Sequence, residues 1–203
     1  MTRRISFRIF TCVAMATCIA IAALAARAQS ATLTLSSATV SIAGTSNVHD
    51  FTAVAKDVRM TRLAITAGVP AAAVLDNPAA VEAFEIVIRT ASLTSPREGL
   101  DKNMYKALKV AEFPEIVFRL NKLEGRGAAL KAIGMLKIAG VEKEVTFDVK
   151  AAAAPTTLTI SGQVPVLMTD YGIAPPKAMM GMLKTDPKIT VKFETVFAVP
   201  TTF

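Results

Sequence analysis

At 203 residues the chain is long enough for one ordinary domain with its own core. Its 23 lysines and arginines against 16 acids give a net charge of +7, but most stand singly among acids. That disfavours nucleic acid, which needs a concentrated basic patch. One histidine, two cysteines and no D-x-D-x-D run leave no ligand set for zinc, haem, iron–sulfur or calcium, so no cofactor or metal is expected.

The chain opens with a basic segment holding Arg3, Arg4 and Arg8, then an uncharged apolar run over 11–26, then Ala26-Arg27-Ala28. That order of parts is expected to be a secretory signal peptide over 1–28; sixteen small apolar residues fall short of the roughly 20 that span a bilayer. Arg3-Arg4 leaves the Sec and Tat export routes open. Cleavage would remove Cys12, Cys18 and four basic residues, lowering the charge to +3. The expected mature domain, 29–203, lies in the periplasm or outside the cell, has no disulfide, and makes no stable membrane insertion.

From residue 32 onward the dominant pattern is alternation with period two, the mark of strands with one apolar and one polar face. Short segments at 32–35, 39–44, 51–58 and 60–66 carry it less clearly. "GTSNVHDFTA", 44–53, lies between two of them and holds the lone His49, with Asp50 beside it. A second short helix is expected near 70–75. Phe84, Ile86 and Ile88 then alternate with Glu85, Val87 and Arg89.

"SPREGLDKNMYKALK", 95–109, breaks the period. Ser95 and Glu98 read as a capping box with Pro96 at the first helical position. Leu100, Met104 and Leu108 form one helical stripe, a lid or packing face. Alternation resumes with Ile116, Phe118 and Leu120, and again from Leu130 through Leu136 to Ile138. It continues with Val145, Phe147 and Val149, with Leu158, Ile160 and Val164, and with Ile189, Val191 and Phe193. Turns at 125–127, 139–142 and 154–156 separate sequential strands, as in hairpins. The expected fold is all-β: an antiparallel barrel of about eight strands with one amphipathic helix.

His49 next to Asp50 invites a hydrolase reading, with Thr45 or Ser46 as nucleophile. Neighbouring strand residues point to opposite faces, and no G-x-S-x-G elbow occurs, so a turn is the better reading. Near the C-terminus, "DYGIAPPKAMMGMLKTDP", 170–187, sets Met179, Met180 and Met182 close to Tyr171. Methionines this dense suit either a mobile rim over an apolar pocket or a plug of ordinary core.

Four segments in order resemble the YceI-like family of secreted lipid-binding proteins. "LDKNMYKALKVAEFPEIVFRLNKLEG", 100–125, is similar to its helix and following aromatic-Pro-x-Ile-x-Phe strand, here Phe113, Pro114, Ile116 and Phe118. "GMLKIAGVEKEVTFDV", 134–149, resembles its Gly-x-Leu-x-Ile-x-Gly-Val-x-Lys-x-Val hairpin. "LTISGQVPVLMTDYGI", 158–173, and "ITVKFETVF" resemble its last two strands. "GTSNVHDFTA" is similar to a branch with a Gly-Thr-Ser-x-x-His-Asp-aromatic segment. The resemblance implies a lipocalin-like barrel that binds a polyisoprenoid or similar long amphiphile without covalent chemistry.

On that reading Phe84, Ile86, Ile88, Ile116, Phe118, Leu136, Phe147, Ile160 and Phe193 are the expected lumen wall. His49, Tyr171, Met179, Met180 and Met182 are expected at the rim, the first two near a head group. The expected partner is a long-chain lipid or isoprenoid, and a homodimer is left open. Two alternatives stand: an envelope stress or interaction module with a filled barrel, and a hydrolase using His49.

Overall fold

The computed structural model describes residues 33–67, 69–178 and 182–199, so the expected signal peptide, Met179 and Met180 lie outside the described residues. The strands are β1 (Thr34–Ser46), β2 (Asp50–Ala55), β3 (Val58–Ile65), β4 (Val81–Arg89), β5 (Leu93–Thr94), β6 (Glu115–Arg126), β7 (Ala129–Ile138), β8 (Val141–Ala153), β9 (Thr157–Leu167), β10 (Lys177–Ala178) and β11 (Leu183–Ala198). Helix α1 (Glu98–Ala107) lies between β5 and β6. Eleven strands exceed the eight or so expected, in part because β5 and β10 are two-residue pieces, while the segments expected at 32–35 and 39–44 form the single strand β1.

The sheet order is β3-β4-β6-β7-β8-β9-β11-β1-β2-β5, with β10 beside the start of β11. All pairings are antiparallel, and the sheet curls into a half-barrel. Three of the long pairings are hairpins: β6–β7 turns at Gly127-Ala128, β7–β8 at Ala139-Gly140, and β8–β9 at 154–156. Ala139 and Gly140 both have positive φ, 48° and 83°, as a tight two-residue hairpin turn needs. The β1–β11 ladder runs from Thr34↔Ala198 to Ser46↔Thr185 and joins the two ends of the domain.

No ladder joins β3 to β2 or β5 among the described residues. Local bonds close that seam instead. The amides of Lys56 and Asp57 donate to the carbonyl and Oγ of Ser92 at 3.1 Å, and the Arg89 amide donates to the Asp57 carbonyl at 3.1 Å. The free edge, β3, is irregular: its register shifts between Met60 and Arg62. Arg59 pairs with Asp57 at 3.2 Å and Glu115 at 3.6 Å, while the Thr61 hydroxyl donates to Glu85 at 2.6 Å. That hydroxyl and the Arg119 guanidinium hold the Glu85 carboxyl below its usual range.

The helix begins two residues later than a box capped by Ser95 requires. Arg97 is the N-cap residue; the Ser95 Oγ accepts from the Arg97 amide at 3.1 Å, and Asp101 takes the Ser95 amide at 2.8 Å. Ser95 and Asp101 therefore cap the turn before the helix rather than its first turn. Acids at Glu98 and Asp101 and a base at Lys106 still match the helix dipole. The expected helix at 70–75 is a single 3-10 turn, Ala71–Leu75.

The inner face is built by phenylalanine over glycine. A Cβ on Gly134 would lie 2.7 Å from the Phe118 ring, and one on Gly162 would lie 2.7 Å from the Phe193 ring. The Phe118, Phe147 and Phe193 rings then run across three strands, with centroids 5.5 and 5.7 Å apart. Gly134→Ala is expected to lower stability by about 1–3 kcal/mol through overpacking, read as a lower urea midpoint. Adding Phe118→Leu should restore part of the loss; no loss in the single variant would refute the contact.

Candidate functional site

The concave face of the sheet and one side of α1 enclose a cavity of about 260 Å³. Every long strand contributes to its wall. Along β11 the lining residues run from Thr185 through Ile189, Val191, Phe193 and Thr195 to Phe197, a path of about 40 Å at the rise of a strand. Among the described residues, Thr185 and Thr195 are the only lining residues that are not apolar, and the Thr195 hydroxyl is already spent on the Ile160 carbonyl at 3.3 Å. The shape is long and the chemistry is almost wholly hydrocarbon.

All nine residues expected on the lumen wall line this cavity. Alternation located them because inward and outward parity is a local property of a strand. It passed over others. Val40 and Ile42 of β1 sit in a weakly alternating stretch, and Leu123 sits past a register shift between Leu120 and Lys122 that flips the inward parity of β6. Leu100, Met104, Ala107 and Leu108 bring the apolar stripe of α1 to the cavity, so the helix is both packing face and part of the wall. The Tyr105 hydroxyl holds it there, donating to the Leu93 carbonyl at 2.6 Å.

The rim residues fare differently. Tyr171 is corrected: it is only 3% exposed, in the turn Met168–Tyr171 that packs against β8, β9 and β11, and it does not line the cavity. Its hydroxyl is buried without a hydrogen-bond partner. Burial, with Asp170 adding repulsion, pushes the phenol up to about 12. Sequence cannot foresee this, because a Tyr-Gly at a strand end reads equally as a wet rim and as a buried corner.

His49, expected near a head group at the rim or in a turn, does not line the cavity. It closes the β1–β2 turn, where its carbonyl accepts from the Ser46 amide at 3.0 Å and hydroxyl at 2.8 Å. Its amide donates back to the Ser46 Oγ at 3.2 Å, and its ring Nε2 meets the Arg97 guanidinium beside α1. Ser46 is thus committed to the backbone of His49 rather than to its ring, and Asp50 opens β2 opposite Thr45. Among the described residues no hydrogen bond joins Asp50 to His49, and no three His, Cys, Asp or Glu side chains converge as a metal site.

Met182 is 67% exposed and outside the cavity wall. Its carbonyl takes the Asn47 side-chain amide at 2.7 Å, while the Lys184 amide donates to Asn47 Oδ1 at 2.8 Å. Asn47 therefore ties the β1–β2 turn to the start of β11.

An antiparallel sheet curled around an apolar cavity is a lipocalin-like architecture. Residues 28–197 match the YceI-like domain, and the chain belongs to that family. BcnA of Burkholderia cenocepacia has the same fold, with a TM-score of 0.63 at 16% identity over 78% of this chain and 95% of that one. The YceI protein of Campylobacter jejuni aligns with a TM-score of 0.55 at 17% identity, over 77% and 85%. A polyisoprenoid binding domain from Saccharophagus degradans, implicated in plant cell wall breakdown, aligns with a TM-score of 0.59 at 12% identity over 84% and 99%. No curated protein matches the chain.

A phenol raised from its ordinary value of 10 is neutral in the folded state, so its stabilisation is complete below pH 10 and is lost as pH climbs toward 12. Tyr171→Phe removes both that loss and the unpartnered hydroxyl. The variant is expected to melt no lower than wild type at pH 7 and measurably higher at pH 11. A variant that loses stability at neutral pH would show that the hydroxyl has a partner.

Proposed function

We propose that the protein binds the apolar chain of an isoprenoid or similar long amphiphile in this cavity, without covalent chemistry. The observation that carries the reading is the wall itself: a path of about 40 Å lined by hydrocarbon, with two threonines as the only polar residues among those described. Transfer of a tail into such a wall yields about 0.8 kcal/mol per methylene, so length rather than polar contact supplies affinity. The polyisoprenoid binding domain with the same fold supports the ligand class. The family and the commitment of Ser46 to the backbone favour a binding protein over a hydrolase.

Native mass spectrometry after incubation with a membrane lipid extract is expected to show a stoichiometric adduct. Retinol, a fluorescent isoprenoid alcohol, should bind as well. Val191→Trp would fill the lumen and is expected to weaken retinol at least about tenfold while the protein still melts cooperatively. An unchanged apo mass together with no retinol signal would sink the proposal.

The composition of 1–28 supports a place of work outside the inner membrane. Protein recovered from cells is then expected to start at Gln29. A mature chain that retains Met1 in the cytoplasm would refute it.

A further inference from the structure

Two neighbouring strands part company halfway along. The β8–β9 ladder runs only from Ala153↔Leu158 to Val149↔Gly162, five residue pairs. Beyond it, Val141–Asp148 of β8 pairs with β7 alone, and the Gln163–Leu167 stretch of β9 pairs with β11 alone. Pro165 stands in the middle of the unpaired stretch of β9. Lacking an N–H, proline belongs on a strand side without a partner, so β9 is an edge strand there.

A groove of about 610 Å³ opens on the outer face at this split. Its sides are polar and charged, with Thr146, Ser161, Gln163, Asp148, Lys150 and Lys192 among them, and Phe147 and Phe193 also line it. The same two rings line the inner cavity. They meet edge to face at 5.7 Å, and no side chain at Gly162 stands between them. Phe147 and Phe193 thus border both the apolar cavity and the polar outer groove.

We propose that the split between β8 and β9 is a side portal of the cavity, gated by Phe147 and Phe193, and that the outer groove seats the polar end of a bound amphiphile. This rests on the cavity being the tail site. Among its described lining residues the cavity offers a head group only two threonine hydroxyls, one of them already committed. The groove supplies hydroxyl and amide side chains, the ammonium groups of Lys150 and Lys192 against one carboxylate, Asp148, and the backbone groups of two unpaired strand edges, which fits an oxygen-rich polar head. A ring flip of Phe147 or Phe193 opens the passage without breaking any ladder bond.

The test closes the split with a cross-link. Asp148 and Gln163 would be the next cross-strand pair if the ladder continued one step. Cysteines there would both lie on the outer side, one step past the last ladder pair. The variant is Asp148→Cys with Gln163→Cys in the full chain, with Cys12 and Cys18 changed to serine so that no other thiol is present. Stopped-flow retinol binding is measured on oxidised and reduced protein, with cross-linking verified by mass.

Oxidation is expected to slow association by about tenfold and dissociation by less, with a loss of affinity because the cross-link lies across the groove that seats the polar end, and reduction should restore both rates. Phe193→Ala, which removes one ring of the gate and needs no cross-link, is expected to speed dissociation by about tenfold. Rates indifferent to the verified cross-link, or unchanged in Phe193→Ala, would overturn the portal while leaving the cavity reading intact. Reduced protein that binds no retinol at all would overturn the cavity reading and the portal with it.

Discussion

The ladder between β1 and β11 is the contact on which the rest of the structure depends. It pairs residues about 150 positions apart, from Thr34↔Ala198 onward, and makes one continuous curved sheet of strands that would otherwise form a row of hairpins. Only with β11 in place do Phe193 and Phe197 reach the inner face opposite β1 and β4, where Phe197 meets Phe84 edge to face at 6.3 Å. Such a contact closes a long loop before any local reward, the entropic feature that slows β folds with distant pairings. The apolar interior can form only after the two ends of the domain have met.

Much of this was legible in the sequence, for a physical reason. Which face of a strand a side chain occupies depends only on its neighbours two residues away. Phe84, Ile86, Ile88 and Phe118 were therefore identifiable as inward residues without any knowledge of the pairing. What failed to show was whatever depends on register or on tertiary surroundings. The bulge near Leu120 reverses parity without a warning residue. Ser95, which with Glu98 resembles a capping box, serves the turn before the helix instead, because Asp101 claims its amide, and Glu98 opens α1. The fate of Tyr171 depends on β8, β9 and β11 packing over it.

Of the features that sequence reading passed over, the parting of β8 and β9 did leave a mark. Pro165 within "VPVL" interrupts an otherwise regular strand, and a proline there signals an edge. It is easily overlooked because the flanking valines continue the alternation. His49 is the opposite case, a conspicuous residue with a modest place. Its backbone shapes a four-residue turn around Ser46, and its ring lies against Arg97 at the start of α1. The chemical rarity of a lone histidine says little about its work.

The free edge of the half-barrel bears on a different matter. A long flat edge strand beside an apolar concave face would be a template for another chain. Strand β3 is unsuited to that role. Its register shift near Thr61 breaks the straight row of amides and carbonyls, and Arg59 and Arg62 stand exposed along it. An incoming strand would have to follow a kinked line and displace the ion pairs of Arg59 with Asp57 and Glu115. Colloidal restraint is thus written into one irregular strand, leaving the interior free to be as greasy as its contents require.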